Sequence, residues 1–79
     1  MDADNLVRMA NRIGEFFDAM PDRAESKAGI ADHLRKFWDP RMREQLFAHI
    51  DREQISGLAP LVLEAVNEHR SHLMPHRAH

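Results

Sequence analysis

Apolar residues recur at steps of three and four from Leu6 onward, at Leu6, Met9, Ala10, Ile13, Phe16, Phe17 and Met20, so that one stripe of an α-helix collects all of them. The spacing predicts a first helix over about residues 4–19, capped by Asp2 or Asp4 and closed by Pro21. Gly14 weakens that helix but lets another element come close. A second run, Lys27, Ile30, Ala31, Leu34, Phe37 and Trp38, follows the pair Asp22 and Glu25, whose three-residue spacing resembles a capping box. This predicts a second helix reaching about residue 38. Gly29 lowers its propensity by roughly 1 kcal/mol relative to alanine, so its first turns are expected to be the loosest part.

The segment Arg35-Lys36-Phe37-Trp38-Asp39-Pro40-Arg41-Met42-Arg43 ends one helix and begins the next. Asp39 suits the N-cap, where its carboxylate accepts an unsatisfied N–H, and Pro40 suits the first helical position, where no donor is needed. A third helix to about Arg52 places Met42, Leu46, His49 and Ile50 on one face, with Phe47 at the edge of that stripe. Glu53-Gln54-Ile55-Ser56-Gly57 has no apolar rhythm and reads as a connection. A fourth helix, led by Pro60, carries Leu58, Val62, Ala65, Val66, His69 and Leu73 on one side and stops before Pro75. No segment alternates as a half-buried strand does. The expected class is all-α: a small bundle of three to four short helices, with helix 2 and helix 3 joined at an Asp-Pro corner. Residues 1–74 form one domain, and residues 75–79 a frayed tail.

Composition narrows the function classes. A chain of 79 residues buries only about 60% of its unfolded surface, so a partner would add to a marginal core. With no cysteine, disulfides and thiolate metal sites are excluded, as suits a reducing cytoplasm. No apolar run approaches the length of a membrane span, and Met1-Asp2-Ala3-Asp4-Asn5 lacks the plan of a signal peptide, so a soluble, unexported, cytoplasmic chain is expected. The formal charge of −2 removes the general attraction on which nucleic-acid binders rely.

Little in the sequence suggests catalysis. Ser26, Ser56 and Ser71 lack a nucleophile elbow, and three glycines build no phosphate-cradling loop of known type. Glu64 and Glu68, four residues apart, read as a solvated helix face. Six histidines invite a metal reading, but His33, His49, His69, His72, His76 and His79 lack the helical His-Glu-x-x-His pattern. His69, His72 and His76 share a face only if the helix runs on into Pro75. The Met and Phe stripe of the first helix reads as a core face. At the corner, Arg35, Lys36, Arg41 and Arg43 either pair locally with Asp32, Asp39 or Glu44 or meet a carboxylate- or phosphate-bearing surface.

Three segments carry a family resemblance. Leu6-Val7-Arg8-Met9-Ala10-Asn11-Arg12-Ile13-Gly14-Glu15-Phe16-Phe17, then Ala31-Asp32-His33-Leu34-Arg35-Lys36-Phe37-Trp38-Asp39-Pro40-Arg41-Met42-Arg43, and last Leu58-Ala59-Pro60-Leu61-Val62 with Ala65-Val66, resemble the small delta subunit of the cytoplasmic, NAD-dependent, molybdenum-containing formate dehydrogenases. The resemblance covers about residues 4–67, and its most specific element is Phe-Trp-x-Pro-Arg-Met-Arg. Ala59 departs from it, since the family often has serine there; the change forfeits an N-cap on the fourth helix.

The resemblance implies a non-catalytic accessory subunit that binds the catalytic alpha subunit and supports assembly, cofactor loading or stability of the complex. The bis-molybdopterin guanine dinucleotide, iron–sulfur clusters and FMN are then expected on the partner subunits and none on this chain. The expected contact residues are Arg35, Lys36, Trp38, Arg41, Arg43 and Phe47. Trp38 and Phe47 serve as anchors if their rings are not wholly internal, while the four cations steer the encounter. One rival is a transient assembly chaperone whose arginines meet the phosphates of the pterin dinucleotide. Another is a helix-turn-helix nucleic-acid binder, which helices 2 and 3 superficially permit. A leftover apolar patch is also able to drive self-association of the isolated chain.

Overall fold

Three aspartates start three helices, each by accepting an N–H that the first helical turn leaves unpaired. Asp2 takes that of Asn5 at 2.8 Å, Asp22 that of Ala24 at 2.9 Å and Asp39 that of Met42 at 3.0 Å. The structure, a computed structural model, describes residues 2–74. It contains α1 (Ala3–Phe17), α2 (Arg23–Phe37), α3 (Pro40–Arg52), α4 (Pro60–Glu68) and the short α5 (Arg70–Leu73), with no strand among the described residues. The expected tail at residues 75–79 lies outside them.

The helices surround one core of Leu6, Ala10, Ile30, Leu34, Leu46, Phe47, Val62, Val66 and Leu73, with Trp38 closing the corner end. Helix α1 packs on α2, α3 and α4, and α2 also packs on α4 and α5. Two glycines make these approaches possible. A Cβ on Gly14 would stand 2.3 Å from Cγ2 of Val62, and one on Gly29 would stand 2.5 Å from the Phe17 ring. The propensity that Gly29 forfeits therefore makes room for Phe17, and the start of α2 is further tied down by Ser26. Its buried hydroxyl is within hydrogen-bonding reach of the Phe17 carbonyl at 2.8 Å and the Asp22 carbonyl at 3.2 Å.

Three sequence expectations change. The stripe of the first helix is too wide: Phe16 and Met20 are exposed, and α1 ends at Phe17, ahead of Met20. Neighbouring residues on a helix point about 100° apart, so Phe16 and Phe17 cannot both enter the core. Phe37 likewise stays outside. Third, the fourth helix is not continuous, because His69, at φ −104° and ψ 20°, separates α4 from α5. The break turns Leu73 back into the core, where it is 1% exposed. Arg70 fixes the new direction by bonding Asp51 at 2.5 Å and lying 4.6 Å above the Phe47 ring.

Ala59, as its residue type implies, offers no side-chain cap to α4. The side chain of Asn11 instead ties the connection down from α1, accepting the N–H of Ala59 itself at 2.9 Å and donating to the Gly57 carbonyl at 3.0 Å. Gly57 itself adopts φ +88°, which a side chain would strain. His49 holds the same connection through Nε2, 2.8 Å from the Ser56 carbonyl.

Along the seam between α2 and α4, Arg23 pairs with Glu64 at 2.7 Å and Lys27 with Glu68 at 2.6 Å. The hydrogen bond from Arg23, helped by the positive charge of Arg23 and Lys27, holds the Glu64 carboxyl below its ordinary value of 4.5 against the opposing effect of burial. A lowered carboxyl stabilises the fold above the unfolded value and loses that contribution as pH falls through the folded one. Urea midpoints compared at pH 7 and about pH 3 should thus differ less in Glu64→Gln than in the wild-type chain. The difference should shrink in high salt, as solvent-exposed pairs require; an unchanged acid limb would show that Glu64 contributes nothing.

Candidate functional site

The corner between α2 and α3 is built by two extended residues, Trp38 at φ −91°, ψ 135° and Asp39 at φ −73°, ψ 163°. Proline disfavours a helical conformation in the residue before it, so Pro40 stops α2 and starts α3 together. Trp38 N–H closes the last turn of α2 on the Leu34 carbonyl at 3.0 Å. The turn is thereby fixed on both sides.

Of the six residues expected at a contact surface, the corner divides three from three. Trp38 and Phe47 are 5% and 1% exposed, so neither ring is free to anchor a partner. Phe47 is not at a stripe's edge but inside the core, with the Arg70 guanidinium of α5 lying over its ring. Arg43, 6% exposed, also points inward and donates from Nη1 to the Leu73 carbonyl at 2.9 Å, while its Nε has no partner among the described residues. A guanidinium at the end of α5 complements the carbonyls left unpaired there. Turned inward, Arg43 is also withdrawn from the face that a nucleic-acid-reading third helix would present.

Arg35, Lys36 and Arg41 are exposed. Arg35 lines a hollow of about 280 Å³ with Asp32, His69 and His72, on the α5 side of α2. Lys36 pairs with Asp32, one turn back, at 3.2 Å. Arg41 lies past the corner and forms no ion pair among the described residues.

What periodicity missed is an aromatic row that ends at this corner, with Phe16 and Phe37 exposed and Phe17 and His33 half-buried. Phe16 meets Phe17 edge to face at 5.1 Å, Phe17 lies 6.3 Å from His33, and His33 lies 4.7 Å from Phe37. The signal available in the sequence was the adjacent pair Phe16-Phe17, only one of which can face inward.

The histidines show no gathering toward a metal site among the described residues, where no three His, Asp or Glu side chains come together. The rings of His69 and His72 are 6.4 Å apart, and His76 lies outside the described residues. Among the described residues no helix is long and apolar enough to cross a membrane.

A family model described as NADH-dependant formate dehydrogenase delta subunit FdsD matches residues 5–66, from the first turn of α1 through the buried positions of α4. The chain belongs to this delta-subunit family. No curated protein and no solved structure matches it. The part matched to the delta-subunit family includes the whole corner and the whole aromatic row, whereas Arg70 and Leu73, which close the core, lie beyond it. The resemblance read from Phe-Trp-x-Pro-Arg-Met-Arg is therefore borne out at the level of family.

Proposed function

We propose that this chain is a non-catalytic subunit that binds the catalytic alpha subunit of an NAD-dependent, molybdenum-containing formate dehydrogenase and supports its assembly, cofactor loading or stability. The family match over residues 5–66 carries the proposal. The electrostatics agree with a structural role: among the described residues, the groups whose protonation is shifted, Arg23, Lys27 and Glu64, pair with one another or with Glu68 along the α2–α4 seam. The molybdenum cofactor, iron–sulfur clusters and FMN belong to the larger subunits in this reading. Arg35, Lys36 and Arg41 form the exposed part of the contact surface, while Trp38, Arg43 and Phe47 set its shape from within.

The test is charge reversal at exposed corner positions, Arg35→Glu with Arg41→Glu. Capture of the purified catalytic subunit should fall, chiefly through slower association and most clearly at low salt, while the melting temperature stays within a few degrees. Undiminished capture would remove the corner as a major contact. Deleting the chain in cells should lower both formate turnover and the molybdenum content of the enzyme. Recovery of the chain in mature enzyme makes it a lasting subunit; recovery only with cofactor-free catalytic subunit makes it an assembly chaperone.

A further inference from the structure

Phe16 and Phe37 are 75% and 71% exposed, although each touches another aromatic ring. Between α1 and α2 the row opens into a hollow of about 320 Å³, lined by Arg12, Ile13, Phe16, Phe17 and His33. No carboxylate lines it. Arg12 at its rim forms no ion pair among the described residues, nor does Arg41 beyond the corner. Lys36 stands one turn of α2 from His33, next to Phe37, so the row leads directly into the cationic corner. An apolar floor between two helices, with positive charge at its rim and far end, is complementary to an amphipathic helix. Such a ligand places apolar side chains one turn apart in the groove and carboxylates along its flanks.

Resting on the subunit reading above, we infer that the Phe16–Phe17–His33–Phe37 row seats an acid-flanked apolar helix of the catalytic subunit. A second copy of this chain fits less well. Two-fold pairing of the row with itself sets Arg12 of each copy, unpaired among the described residues, against a surface on which Lys36 is already matched by Asp32 at 3.2 Å. A second copy therefore brings no carboxylate into the hollow for Arg12. A carboxylate-bearing helix instead supplies the charge that the rim lacks. Aromatic rings beside arginine are also the residue types that concentrate binding energy at interfaces.

The experiment uses the full-length chain and purified catalytic subunit, with affinity measured by interferometry. Phe16→Ser with Phe37→Ser alters two exposed rings, so its melting temperature should match wild type while Kd rises about 30-fold or more, as expected for loss of two interface anchors. Arg12→Glu should weaken binding about threefold to tenfold, with an effect that fades in high salt. If the double variant melts early, Phe37→Ser alone replaces it, since Phe37 lies at the open end of the row. Wild-type affinity in a folded variant overturns the inference and leaves the subunit reading standing. So does loss of binding confined to Arg35→Glu with Arg41→Glu. A variant that loses self-association in sedimentation yet keeps its affinity assigns the row to a second copy and likewise overturns it. Failure of the wild-type chain itself to bind removes the subunit reading and the row's occupant together.

Discussion

Phe47→Ala is expected to leave the chain largely unfolded at 25 °C, with loss of most of its far-UV helical signal. The ring is 1% exposed, and truncating a buried phenylalanine to alanine costs about 3–5 kcal/mol, because the surroundings collapse only partly into the void. A domain of this size has about 3–5 kcal/mol to lose. The substitution also removes the face against which the Arg70 guanidinium lies at 4.6 Å, loosening the joint that directs α5. Phe47→Leu should instead remain folded, since volume-conserving exchanges cost under about 1.5 kcal/mol. A Phe47→Ala chain whose melting temperature falls by less than about 8 °C would show that the ring is not the centre of the core.

Gly14→Ala should destabilise by about 1–2 kcal/mol, although the same change at an open helical site stabilises by up to about 1 kcal/mol. The added Cβ would stand 2.3 Å from Val62 Cγ2, and Val62 is fully buried with a β-branched side chain that is stiff at χ1 in a helix. The helices must separate or Val62 must leave its rotamer. Gly29→Ala offers the contrast: its Cβ would meet the Phe17 ring at 2.5 Å, yet Phe17 is only half-buried and is able to swing outward, so the loss should be smaller. Combining Gly14→Ala with Val62→Ala should destabilise less than the sum of the two single changes. Denaturant midpoints for the full cycle read this coupling directly, and strict additivity would mean that the two side chains do not meet.

The fold was legible in the sequence where its signals are local. Aspartate caps, the Pro40 start and three- and four-residue spacing act within one or two turns, and they placed α1, α2 and α3 to within about two residues. The Phe-Trp-x-Pro-Arg-Met-Arg element likewise identified the family. What escaped depends on contacts distant along the chain. Phe47 looked marginal on its own helix because part of its cover, the Arg70 guanidinium 4.6 Å over its ring, comes from α5, after a bend at His69 with no proline or glycine to announce it. The same bend puts the Leu73 carbonyl within reach of Arg43, which turns an apparent surface cation into an interior one. A stripe also records angle and not extent, so it could not show that Phe16 and Phe37 lie outside the covered zone. The corner was therefore read correctly as a turn, and the condition set on Trp38 and Phe47 as anchors, that their rings not be wholly internal, is not met.

The Asn11 bridge has a consequence for the order of events during synthesis. Its two bonds span 46 and 48 residues, and Gly14, one turn further along α1, receives Val62 on the same side. The connection into α4 thus finds its hydrogen-bond partner, and α4 its docking notch, only on a segment translated long before them. The N-terminal helix acts as a template awaiting the C-terminal half, and a nascent polypeptide released before Ala59 leaves the ribosome would have a mould with nothing yet to cast in it.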